Sequence, residues 1–228
     1  MTITPTALVR AAGVAAAAAG MIFIGVQIGH PHLNATSITT TEVAVRNSLK
    51  VLMAVLALAG ITGMYLSQVR RNGVLGLLGY LVLSAGYLLI TGTTFALAYV
   101  LPSIAGTEAA YVDDVLAVVT GDAATGDIGA LQTAVQVQNA TFLAGGLIFG
   151  VALYRAGVLA RWAAALLAVG GVVTAVLSVL PDGFYRLLAF PNGIALIALG
   201  YSLWSTASRG TTARPAVVHG PPVATAGA

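Results

Sequence analysis

Apolar residues in this chain run in long blocks, and the polar positions gather between them. Six blocks carry no charge: residues 11–29, 51–66, 74–101, 135–154, 162–180 and 187–205. Crossing about 30 Å of hydrocarbon takes roughly 20 apolar residues at about 1.5 Å of rise each, which is the length of these blocks. Backbone N–H and C=O groups find no water in hydrocarbon, so each block must close its hydrogen bonds within a helix, and blocks this long are not barrel strands. The pattern predicts an all-α polytopic integral membrane bundle of six transmembrane helices over residues 1–208. Residues 209–228, rich in Gly, Pro, Thr and Ala and without periodicity, are expected to form a disordered cytoplasmic tail.

Composition strengthens this picture. Of 228 residues 58% are hydrophobic and only 7% charged, which is far from the balance of a soluble domain. The absence of cysteine excludes disulfide exchange, iron–sulfur and thiolate–zinc chemistry. Arg70, Arg71, Arg155, Arg161, Arg209 and Arg214 fall in alternate links, and Arg10 precedes the first block. By the positive-inside rule these mark the cytoplasmic side and place both termini there. A basic residue followed by an apolar core also fits a cleaved signal peptide, whose removal would leave five spans in unchanged orientation.

The same assignment puts all seven acids outside, five of them in residues 107–127 of one long connection, 102–130. There Thr107 is placed to cap a helix of about three turns bearing Val112, Val115, Leu116 and Val119, with Gly121 closing it. The expectation is a partly helical external lid, the alternative a solvated connector. Arg46, Lys50 and Arg186 form a basic ring on the same face, available to the acids of the loop, Asp113 and Asp114 first, or to lipid phosphates.

Two stretches share R-x-G-V-L, at Arg71 and Arg155, with a later glycine at Gly86 and Gly170. The repeat maps the second and third spans onto the fourth and fifth. That is the signature of parallel hairpins such as transporters use, or simply of two basic turns that need Arg and Gly. Ala12, Ala16 and Gly20, then Gly25 and Gly29, then Gly146 and Gly150, recur at four-residue spacing, which lets membrane helices approach closely.

Candidate chemistry is sparse. No acid lies at a span's midplane, and there is no internal lysine, no intramembrane histidine pair, and neither G-x-S-x-G nor H-E-x-x-H. What remains is a belt of neutral polar residues in the outer half. Gln132, Gln136 and Asn139 follow i, i+4, i+7 spacing and are expected to face inward. Gln27, Thr93 and Asn192 reach similar depth. The belt serves either as hydrogen-bonded glue between helices or as the lining of a small cavity. His30 and His32 are the nearest approach to a metal site, short of the three or four ligands zinc needs. The pattern asks for no metal, no cofactor and no nucleic-acid partner.

The stretches "FGVALYRAGVLARWAAALLAVGG" (149–171) and "PNGIALIALGYSLW" (191–204) resemble the closing part of a loose group of uncharacterised six-helix bacterial integral membrane proteins. That resemblance implies a multi-pass protein of the bacterial plasma membrane and carries no catalytic residue. The scarcity of Lys beside Arg points the same way, to a high-GC genome. The leading expectation is a non-enzymatic binding or accessory protein whose outer-half cavity holds a lipid headgroup or small neutral solute, or which docks on a membrane partner or a second copy. The alternatives are a small transporter built from the hairpins and a metal-dependent intramembrane hydrolase.

Overall fold

The computed structural model describes residues 3–177 and 189–212, and within them the chain is all α. Seven helices follow one another: α1 Pro5–Gly25, α2 Thr41–Leu66, α3 Val69–Ile104, α4 Ala109–Thr120, α5 Ala130–Ala156, α6 Arg161–Leu177 and α7 Ala189–Thr212. Of these, α1, α2, α3 and α5 are long and apolar enough to cross a membrane. The expected fifth and sixth spans correspond to α6 and α7, which flank residues 178–188, outside the described residues. Helix α7 runs on to Thr212, past the point where a tail was expected; residues 213–228 lie outside the described residues.

Local chemistry sets the helix ends. Thr4 accepts from the Ala7 N–H with Pro5 in the first turn of α1, and Thr40, rather than the neighbouring Thr41, accepts from the Val43 N–H at the start of α2. Gly121 and Gly157 end α4 and α5 in the left-handed region, where a side chain would be strained. Both glycines of the repeated R-x-G-V-L have positive φ, but Gly157 follows its helix while Gly73 breaks α3 near its start.

The helices form a closed ring. Each of α1, α2, α3, α5, α6 and α7 packs on the next, and α7 packs back on α1. Hydrocarbon supplies no hydrophobic force between helices, so contact depends on close van der Waals approach. Glycine provides it at the α1–α7 seam. A Cβ on Gly13 would lie 2.7 Å from the Gly200 carbonyl oxygen, and one on Gly200 would lie 2.5 Å from that of Gly13. Gly20 and Gly193 repeat the reciprocal contact one heptad along. Gly79 and Gly86 admit the backbone of α5 at Phe149 and Phe142 in the same way. The centre is filled by Met53, Ile61, Met64, Leu83, Tyr87, Phe149, Leu196 and Leu199, all buried.

A second apolar core closes one end. There Val112, Val115 and Leu116 of α4 pack on Leu97 and Leu101 of α3, Val43 of α2 and Ile38 of a short 3-10 turn, Ser37–Thr39. Every described acid lies at this α4 end; Arg70, Arg71, Arg155 and Arg161 lie at the opposite end, in and beside the tight turns.

Candidate functional site

Beneath α4 the ladder of α3 is interrupted by a π-helical turn, Ala96–Val100. Its cause is local: Pro102 has no N–H for the carbonyl four residues back and its ring crowds that carbonyl, so the chain takes one extra residue in the turn. The Leu101 N–H consequently bonds the Ala96 carbonyl, and the carbonyl of Leu97 turns to α2, where Asn47 Nδ2 donates to it at 3.5 Å. Ser48 Oγ and the Tyr99 hydroxyl, 2.9 Å apart, add a second link between the same helices. One turn further in, Thr93 Oγ1 donates to Gln138 Oε1 of α5 at 2.7 Å. Asn47 is completely buried and its Oδ1 has no hydrogen-bond partner. The cluster therefore ties α2, α3 and α5 together and keeps one spare acceptor.

The expected amide face is turned the other way. Gln132, Gln136 and Asn139 are all exposed, while the inward stripe of α5 is Val135, Gln138, Phe142, Gly145 and Phe149, at alternating three- and four-residue steps. Close approach of Gly145 to Leu83 fixes this rotation, which outweighs the desolvation of three amides. Thr93 is buried as expected, Gln27 is half-buried, and Asn192 is buried against α6, where a Cβ on Gly170 would lie 2.6 Å from its Oδ1. These residues do not converge on one cavity. Gln138 and Asn47, neither of them expected on an inward face, are the amides that join the cluster beneath α4; following the 3/4 stripe back from Phe149 finds Gln138.

The basic ring and the acidic lid do not meet among the described residues. Arg46 pairs with Glu42 at 2.9 Å and donates to the carbonyls of Val26, Ile28 and Gly29, so it caps the chain leaving α1. Lys50 Nζ donates to His30 Nε2 at 3.0 Å, and His30 Nδ1 donates to the Pro31 carbonyl at 2.8 Å. Arg186 lies outside the described residues. Asp113 instead accepts from the Ala35 N–H at 2.6 Å, and Asp114 accepts from the Thr125 N–H and hydroxyl and the Gly126 N–H, at 2.7, 2.9 and 3.0 Å. Among the described residues it is backbone N–H groups, and no cation, that these carboxylates bind. The helix starts at Ala109 with Glu108 in the cap position, while the Thr107 hydroxyl donates backwards to Ile104.

The Thr125 N–H, then its hydroxyl, and more weakly the Gly126 N–H hold the Asp114 carboxyl below the usual carboxylate range, against an opposing desolvation. A lowered folded pKa gives stability that is complete above the unfolded value of about 3.9 and is lost as pH falls through the folded value. The loop after α4 is therefore expected to open in acid. Hydrogen exchange at residues 122–129, corrected for its intrinsic pH dependence, should rise on going from about pH 5 to about pH 2. An Asp114→Asn protein that still shows the step would assign it to another group.

Among the described residues no three His, Cys, Asp or Glu side chains form a cluster able to hold a metal. His30 has both ring nitrogens engaged and His32 is exposed. Compared with known proteins, the chain matches no family model, no curated protein and no solved structure. Its function must therefore be read from its own surface. A groove of about 430 Å³ lies at the α4 end between α1 and α2. Its walls are Ile22, Val26, Val45 and Leu49, and the Glu42–Arg46 pair stands at its rim.

Proposed function

We propose that this is a non-enzymatic, six-span membrane protein that binds lipid in an accessory role, with the arginine-rich end and both termini cytoplasmic and α4 as an external lid. The groove between α1 and α2 carries the reading: apolar walls suit acyl chain, and a carboxylate and a guanidinium at the rim suit a zwitterionic or hydroxylated headgroup. The segregation of acids to the α4 end and of Arg70, Arg71, Arg155 and Arg161 to the other supports the orientation. Burial of Gly13, Ala16, Ala19 and Gly20 of α1 within the ring supports its retention as a span.

Docking on a partner draws support from Gln132, Gln136 and Asn139, whose exposed amides would be costly against lipid. Transport finds less support, because the bundle centre is apolar and filled. The metal-hydrolase reading loses its ligands, as His30 is committed to Lys50 and Pro31.

Filling the groove with Val45→Trp/Leu49→Trp should lower co-purifying lipid, read by mass spectrometry, at least severalfold without loss of folded protein. An unchanged lipid complement would remove the groove from consideration. In intact cells a Thr125→Cys protein should react with a membrane-impermeant thiol reagent and a Gly157→Cys protein should not. The reverse pattern would invert the molecule.

A further inference from the structure

The opposite end of the bundle holds a second cavity, of about 500 Å³, at the α2–α3 turn. Ser67, Gln68, Arg70 and Arg71 line it, with Leu66 and with Val158 from the α5–α6 turn. Four observations at this end distinguish it from an ordinary basic turn. Gln68 is 95% buried, donates through Nε2 to the Met64 carbonyl at 3.3 Å, and leaves Oε1 buried with no partner. One helical turn on, Asn72 is equally buried with neither side-chain polar atom bonded. Arg70 and Arg71 are exposed, and among the described residues no carboxylate pairs with either. Gly73 sits at φ +57° and ψ −156°, a conformation open essentially to glycine alone, so the turn is held in shape by backbone that another residue would not adopt.

A buried Gln68 oxygen without a partner costs free energy unless something fills it, and the two guanidinium groups that line the same cavity supply charge for an anion. We propose that this cavity binds a phosphate group carried next to hydroxyl or ammonium donors, as in the headgroup of a glycerophospholipid or in a free phosphate compound. Arg70 and Arg71 take the phosphate oxygens, and Gln68 Oε1, sealed in the free protein, accepts from the neighbouring donor once the side chain turns toward the cavity. The assignment rests on the cavity at the arginine end alone and holds for either orientation of the molecule and with or without lipid in the α1–α2 groove.

The test is lipid binding by the full chain in detergent, read by native mass spectrometry with added phosphatidylglycerol, phosphatidylethanolamine or phosphatidylcholine. Phosphatidylcholine carries the same phosphate, but its quaternary ammonium has no N–H to donate. The first two lipids should bind at least about fivefold more tightly than the third, in keeping with one added hydrogen bond to a buried acceptor. Arg70→Gln/Arg71→Gln should weaken both by about tenfold or more, since each cation contributes roughly a further factor of five at a lipid surface. Gln68→Leu should abolish the preference over phosphatidylcholine, and Leu88→Ala, at an exposed position of α3 outside both cavities, should leave it intact. Inorganic phosphate that displaces the lipid assigns the site to a free phosphate compound, and failure to displace it assigns the site to the lipid. Equal binding of all three lipids, unchanged in the double arginine variant, would overturn the proposal.

Discussion

Replacing Gly200 by alanine should destabilise the purified protein by about 1–3 kcal/mol, the usual cost of forcing atoms into a filled site. The added methyl would lie 2.5 Å from the Gly13 carbonyl oxygen and 2.7 Å from the Ala17 nitrogen, both backbone atoms that cannot swing aside. Gly92 is the control. A Cβ there meets nothing within 4 Å, and α3 passes through it as ordinary helix, so Gly92→Ala should be neutral or gain up to about 1 kcal/mol. Thermal unfolding in the same detergent should show a lowered midpoint for Gly200→Ala and no lowering for Gly92→Ala. Equal melting would mean that the α1–α7 seam is looser than its glycine pairs require.

The largest local effect is expected in the lid. Leu116 is 1% exposed and Val115 completely buried, both in the apolar core that α4 shares with α2 and α3. Leu116→Ala should cost about 2–5 kcal/mol of the lid's own stability, and Val115→Asp more, because a carboxylate would be buried with no partner. Protease cutting within residues 105–129 should accelerate accordingly while the ring stays intact. Cutting of the unsubstituted protein should be indifferent to salt, since apolar packing and carboxylate-to-backbone bonds hold the lid and no ion pair to Arg46 does. Rapid cutting of both proteins alike would make the lid a loose connector.

How far the molecule is legible in its sequence depends on which force decides each feature. Hydrophobic length marks helices, so α1, α2, α3 and α5 are legible as helices long and apolar enough to cross a membrane, and Val112, Val115, Leu116 and Gly121 mark α4 and its end. Rotation about a helix axis is set by which residues let a neighbour come close. Gly145 against Leu83 turned α5 so that Gln138 faces inward and Gln136 outward, a decision invisible when amides are weighed only by their number. Partner choice was harder still. Charge alone matches Asp113 and Asp114 to cations, but backbone N–H groups brought close by folding take them. The π turn has a sequence cause in Pro102, while the burial of Gln68 and Asn72 has none, because a basic turn between two apolar blocks marks sidedness and leaves the facing of its amides open.

The closed ring has a consequence for how the protein is made. The glycine notch of α1 is filled by α7, which leaves the ribosome almost a whole chain later. At about 5–20 residues per second that delay is on the order of ten seconds or more. During it the first helix has α2 on one flank and an unfilled notch on the other. A stalled or truncated chain keeps that notch open.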